Sequence, residues 1–182
     1  MEEIEDPTES LHEHIHEGAH HAAEEGKHKW IIYVALTTAI IAVLSAITSL
    51  LAAQHADESM LSQIHASDQW AYYQAKGIKT EVLVSQNKVL VAMGKTPDPA
   101  DIEKIKANKK QQEETSKEAK KAEDESHAHV AKHDTLARSV TLFQIAIAIG
   151  AISILIKKRI YWIISLGFAS FAAFYFLLEI LG

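Results

Sequence analysis

"WIIYVALTTAIIAVLSAITSLLAA", Trp30 to Ala53, carries no charge over 24 residues. At 1.5 Å rise per residue a helix of that length spans about 36 Å, more than the roughly 30 Å of a bilayer's hydrocarbon layer. The run is too long for the apolar core of a secretory signal, its leading flank is acidic, and no A-x-A site follows it. It reads as an uncleaved membrane anchor.

Two further blocks have the same character. "SVTLFQIAIAIGAISILI", Ser139 to Ile156, is followed at once by Lys157, Lys158 and Arg159. Ile160 to Leu181 forms the third, with Tyr161 and Trp162 at its entrance, where amphipathic rings favour the headgroup level. Lys27 and Lys29 precede the first span, and no Lys or Arg occurs from Gln54 to Ala75. By the bias of positive residues, the N-terminus and the Lys157–Arg159 turn lie in the cytoplasm, with the hairpin region and the C-terminus outside. Lys132 and Arg138 run against this assignment.

The 182 residues carry a net charge of −6, seven Gly, three Pro and no cysteine. Disulfides, thiolate metal sites and Cys nucleophiles are thereby excluded. So few breakers favour long helices over strands. The expected fold is an all-α integral membrane protein with transmembrane helices at 30–53, 139–156 and 160–181. A His- and Glu-rich tail with a short helix, 1–29, precedes them. Residues 54–138 form a long extramembrane antiparallel hairpin, coiled-coil-like, with arms 54–93 and 100–138. Its turn, 94–99, lies within "GKTPDPAD", Gly94 to Asp101, where Gly caps one helix and Pro restarts the next. Arms of roughly 60 Å each return the chain to the membrane where the second span must begin.

The first arm shows a heptad pattern in Leu61, Ile64, Asp68, Ala71, Ala75, Ile78, Val82, Ser85, Val89 and Ala92. The second keeps that phase weakly, through Ile102, Ile105, Ala119, Val130 and Ala137. Between Lys106 and Ser126 it is mostly Lys, Glu, Gln and Ala, helical by propensity and by i,i+4 pairs but poor in material to bury. Two such arms alone are marginal, so several copies are expected to pack together. In the first span Ala35, Ala39, Ala42, Ala46, Ser49 and Ala53 form a small-residue stripe, and Ala146 and Gly150 make a small-xxx-small pair in the second. Small residues let helix backbones approach closely in lipid.

The richest mixture of aromatic and polar side chains is "ASDQWAYYQAKGIK", Ala66 to Lys79. Asp68 falls on the heptad seam, and a carboxylate there needs hydrogen bonds or a cation. Asp68, Trp70, Tyr72, Tyr73, Gln74 and Lys76 therefore read as a polar lock that fixes register between helices; a ligand-binding aromatic patch is the alternative. In the tail, His12, His16 and His20 recur at i,i+4 and are able to share Zn, Ni or Cu, against a solvated, pH-sensitive tail. A second group comprises His127, His129 and His133 beside Asp124, Glu125 and Asp134. Folding about Pro97 sets His65 opposite His127 and Asp68 near Asp124. Charge pairing across the arms is the favoured reading, and a metal site the other. Glu179 lies near the end of the third span, at a headgroup-level position. Phe168, Phe171 and Tyr175 form a lipid-facing or packing stripe. No haem motif, Walker loop or dinucleotide fingerprint is present, and the lysines are matched by glutamates, which argues against nucleic acid.

These residues together resemble a bacterial membrane family, domain of unknown function 4337. The resemblance rests on "HEHIHEGAHHAAEE", the first span, "ASDQWAYYQAKGIK" and "SVTLFQIAIAIGAISILIKKRIYW". It covers nearly the whole chain, with about Val82 to Lys121 the least characteristic part. It implies a multi-pass protein of the bacterial inner membrane, with Asp68, Trp70, Tyr73, Gln74 and Lys76 as signature positions. It brings no reaction, so no catalytic residue and no cofactor is carried over. The expected role is a non-enzymatic, homo-oligomeric scaffold or an accessory component of a larger membrane complex. A transition-metal-binding protein and a channel or transporter subunit are the alternatives.

Overall fold

The computed structural model describes residues 29–181. The expected short helix of the tail and its histidines, His12, His16 and His20, lie outside those residues. The described chain is all helical, with α1 at Lys29–Ala92, α2 at Pro99–Ile156 and α3 at Arg159–Leu181. Each contains a stretch long and apolar enough to cross a membrane.

α1 runs unbroken for 64 residues. Its sequence has no proline and a single interior glycine, Gly77, so nothing interrupts the i→i−4 ladder where the apolar run gives way to the polar arm. Hydroxyls inside the apolar part bond to their own helix, as in Thr38 Oγ1 donating to the Val34 carbonyl at 2.7 Å and Thr48 Oγ1 to Leu44 at 2.7 Å. α1 ends on Gly94, whose φ of 73° is the left-handed conformation. The Lys95 amide reaches back to the Leu90 carbonyl at 2.9 Å and the Gly94 amide to Val91 at 3.0 Å, closing the last turn. α2 restarts with Asp98 as its cap: Oδ1 accepts the Ala100 amide at 2.9 Å, and Pro99 fills the first helical position, where no donor is needed. Between α2 and α3 the same closure recurs without glycine, since Lys157 holds φ 57° while the Lys158 amide donates to Ser153 at 3.3 Å.

The chain divides into two compact units, one of residues 1–55 with 131–182 and the other Ala56–Val130. The first is a three-helix bundle. α1 contributes Ile31, Val34, Thr38, Ile41, Ser45, Thr48 and Ala52, buried at alternating steps of three and four. They meet a core of Phe143, Ala146, Ile147 and Ala172. A Cβ on Gly150 would stand 2.9 Å from Thr38 Oγ1 and 3.4 Å from Ser165 Oγ, so all three helices converge there through the absence of a side chain. Of the small-residue stripe, Ala35, Ala39 and Ala42 are half-buried, while Ala46, Ser49 and Ala53 are exposed. The stripe flanks the bundle's inner face rather than forming it. Outside, the bundle is aliphatic and aromatic, including Ile32, Leu36, Ile40, Val43, Phe171 and Phe174.

The two helix ends respond oppositely to glycine exchange. Gly94→Ala should cost about 1 kcal/mol and Lys157→Gly should stabilise by up to about 1 kcal/mol, because only glycine enters the left-handed region freely. Thermal unfolding of the purified chain followed by circular dichroism reads both signs.

Candidate functional site

The second unit is an antiparallel pair formed by the later part of α1 and the earlier part of α2. Ser59 and Ser126 share a buried hydrogen bond at 3.1 Å, and the Ser126 hydroxyl also lies 3.1 Å from the Ser59 carbonyl. Further along, Trp70 Nε1 donates to Glu123 Oε1 at 2.8 Å, and Gln112 Nε2 donates to the Tyr73 carbonyl at 3.2 Å. As numbers rise on one helix they fall on the other, and partners sum to 185–193; folding about Pro97, with His65 opposite His127, predicts about 192, so the observed register differs by up to about two turns.

The interior of this pair is small and polar. α1 buries Ser59, Ala66 and Thr80, and α2 buries Thr115, Ala119, Ala122 and Ser126. Short side chains let the two backbones come close, and their hydroxyls find partners across the gap or in their own helix, as with Thr80 Oγ1 and the Lys76 carbonyl at 2.9 Å. The stretch between Lys106 and Ser126 therefore buries more than its Lys/Glu content suggests. Its charges lie outward in exposed pairs, Lys117–Glu113 at 3.0 Å and Lys121–Glu125 at 3.6 Å, worth a few tenths of a kcal/mol each.

The signature run splits between two faces. Trp70 and Tyr73 turn toward α2 and meet edge to face at 5.5 Å, with the indole anchored on Glu123. Asp68, Tyr72 and Gln74 are exposed, and Lys76 Nζ lies 5.2 Å from the Tyr72 ring centre. Within this run, the side-chain hydrogen bond between the arms is Trp70 with Glu123. Glu123 was not legible beforehand, because no spacing rule singles out one glutamate in a run of charged residues.

The apolar heptad of α1 does not face α2. Leu61, Ile64, Ile78, Val82 and Val89 are 66%, 53%, 66%, 59% and 55% exposed. Asp68, Ala71, Ala75, Ser85 and Ala92 on the same seam are exposed too. Helical geometry explains the outcome: the inward residues Ser59, Ala66, Tyr73 and Thr80 repeat every seven positions, on the side of the helix opposite the a and d positions. On α2, Ile102 and Val130 are exposed as well, at 45% and 42%. The pair is inside out, with hydroxyls within and branched aliphatics without.

His129 Nδ1 lies 3.0 Å from Glu58 Oε2 across the pair. In the other unit, His133 Nδ1 lies 2.8 Å from the Ala52 carbonyl. His65 and His127 are exposed. In the bundle, hydroxyls bridge helices: Ser139 Oγ donates to Ala172 at 2.9 Å, Ser165 Oγ to Ala146 at 2.7 Å, and Trp162 Nε1 to Thr37 Oγ1 at 3.1 Å. Such bonds tie the three helices of the bundle together. Glu179 is half-buried, and Phe171 meets Tyr175 edge to face at 5.2 Å.

Fold and site define an all-helical protein with three helices able to cross a membrane and a polar-cored antiparallel helix pair. Residues 30–182 match the family described as Domain of unknown function (DUF4337), and the chain belongs to that family. No curated protein and no solved structure matches it.

The small interior is the sensitive one. Ala119→Leu should destabilise the pair by about 1–3 kcal/mol through overpacking. Trp70→Phe should cost about 1–3 kcal/mol by removing the partner of a carboxylate. Chemical unfolding followed by helicity reads both, and the fluorescence of Trp70 reads the first as well.

Proposed function

We propose that this chain is a multi-pass protein of the bacterial inner membrane, without catalytic activity, that serves as an oligomeric scaffold or an accessory component of a larger membrane complex. The observation that carries it is the inverted polarity of the Ala56–Val130 unit, whose branched aliphatics lie outward along one stripe of α1.

The two units call for different surroundings. Around the bundle the outward side chains are apolar on all three helices, the composition of a surface solvated by lipid. The basic residues of the Lys157–Arg159 turn and those ahead of the first span support a reading with the N-terminus and this turn in the cytoplasm and the helix pair and the C-terminus outside. On the pair, Leu61, Ile64, Ile78, Val82 and Val89 lie along one stripe of α1 with Lys79, Glu81 and Lys88 beside it, all exposed. Charges so placed exclude hydrocarbon, so the stripe is covered by protein. A 3–4 repeat is matched by another helix, which gives the chain its use as an assembly element.

The test is to place a charge on the stripe. Ile78→Asp and Val82→Asp should leave helicity unchanged, because neither side chain is enclosed by its own chain. Both should strip partner chains from the protein extracted from native membrane in mild detergent, as read by native mass spectrometry. If the unaltered chain emerges as a monodisperse helical monomer carrying no other protein, the reading is wrong.

A further inference from the structure

We infer that the outward stripe of α1 is covered by the α1 stripe of a second copy, parallel and in register, with the two Asp68 carboxylates opposed as its one unfavourable layer. This rests on the scaffold reading and names the partner it leaves open.

The first argument is the length of the anchor. α1 is one uninterrupted helix from Lys29, so the seam begins at a fixed number of residues beyond the apolar run. A second copy inserted in the same orientation presents the same seam at the same distance along its own helix. Leu61 then meets Leu61, Ile78 meets Ile78 and Val82 meets Val82 without any shift. An unrelated partner has no such constraint on its register.

The second is charge. With Leu61, Asp68, Ala75, Val82 and Val89 as a positions, parallel pairing sets Ser67 beside Tyr72, Gln74 beside Lys79, Glu81 beside Gln86 and Lys88 beside Met93 of the other copy. None of these flanking pairs is like-charged. Like charges meet only at Asp68, where each carboxylate faces its own counterpart.

The third is size. Leu61 to Ala92 extends for about 48 Å of helix, and a contact some 10 Å wide along it covers about 480 Å² per copy. The total of about 1,000 Å² sits at the lower edge of specific interfaces. Confinement of both copies to one membrane raises their effective concentration and makes so modest a contact sufficient. Beside the seam, a cleft of about 420 Å³ lined by Ile78, Lys79, Val82, Leu83, Lys104 and Asn108 offers further apolar surface that its own chain leaves unfilled. The two α2 arms lie on the far sides, giving a row of four helices with the α1 seams in the middle.

The chain lacks cysteine, so single introduced thiols report the contact directly. The full-length variants Ile78→Cys, Val82→Cys and Thr80→Cys are oxidised in native membranes. Covalent dimers are expected at positions 78 and 82 and not at Thr80, which is 3% exposed and faces α2. Adding Asp68→Asn to an Ala71→Cys chain should raise dimer yield several-fold by removing the opposed carboxylates. An unchanged yield overturns the register. Absence of dimers at both seam positions, while Ile78→Asp still releases other proteins, overturns self-pairing and leaves the scaffold reading standing. If Ile78→Asp releases nothing as well, both fall together.

Discussion

Two helices lie close along their length only when the side chains between them are short or mutually bonded, and that constraint organises this molecule. In the Ala56–Val130 unit it is met by Ser59, Ala66, Thr80, Thr115, Ala119, Ala122 and Ser126. In the bundle it is met at Gly150, against Thr38 and Ser165. Large aliphatics inside the interface of the Ala56–Val130 unit, or on Gly150 in the bundle, would separate the backbones there.

The consequence is an unusual distribution of apolar surface. A polar interior contributes little hydrophobic stabilisation, since burying Ala, Ser and Thr removes little apolar area from water. Leu61, Ile64, Ile78, Val82 and Val89 then remain outside, along one side of α1. Around the bundle, aliphatic and aromatic side chains also lie outward, but its core is itself apolar, with Ile41, Phe143 and Ile147 inside; on the helix pair, charges border the stripe.

Family membership and geometry bear on different questions. The match over residues 30–182 places the chain in its family without assigning a reaction. The geometry accounts for the signature run: Trp70 and Tyr73 serve the contact with α2, and Asp68, Tyr72 and Gln74 stay on the outside. One short segment thus addresses both the chain's own fold and whatever lies beyond it.

The sequence by itself determined the elements. The uncharged runs, the Gly94 and proline signals and the scarcity of breakers pointed to the helical spans, the arms and the position of the turn, because these follow from local backbone chemistry; the joining of span and arm into one helix is seen in the structure. The tally of apolar residues also revealed that α1 has a seam. Which side of α1 would meet α2 was decided only in the tertiary structure. A 3–4 apolar repeat marks a face that will be covered without naming its cover, and a facing surface of Ala, Ser and Thr leaves almost no trace in hydropathy. The pairing of Trp70 with Glu123 was hidden for a related reason: its specificity comes from register, which side-chain size at the contact sets and sequence spacing gives only to within about two turns.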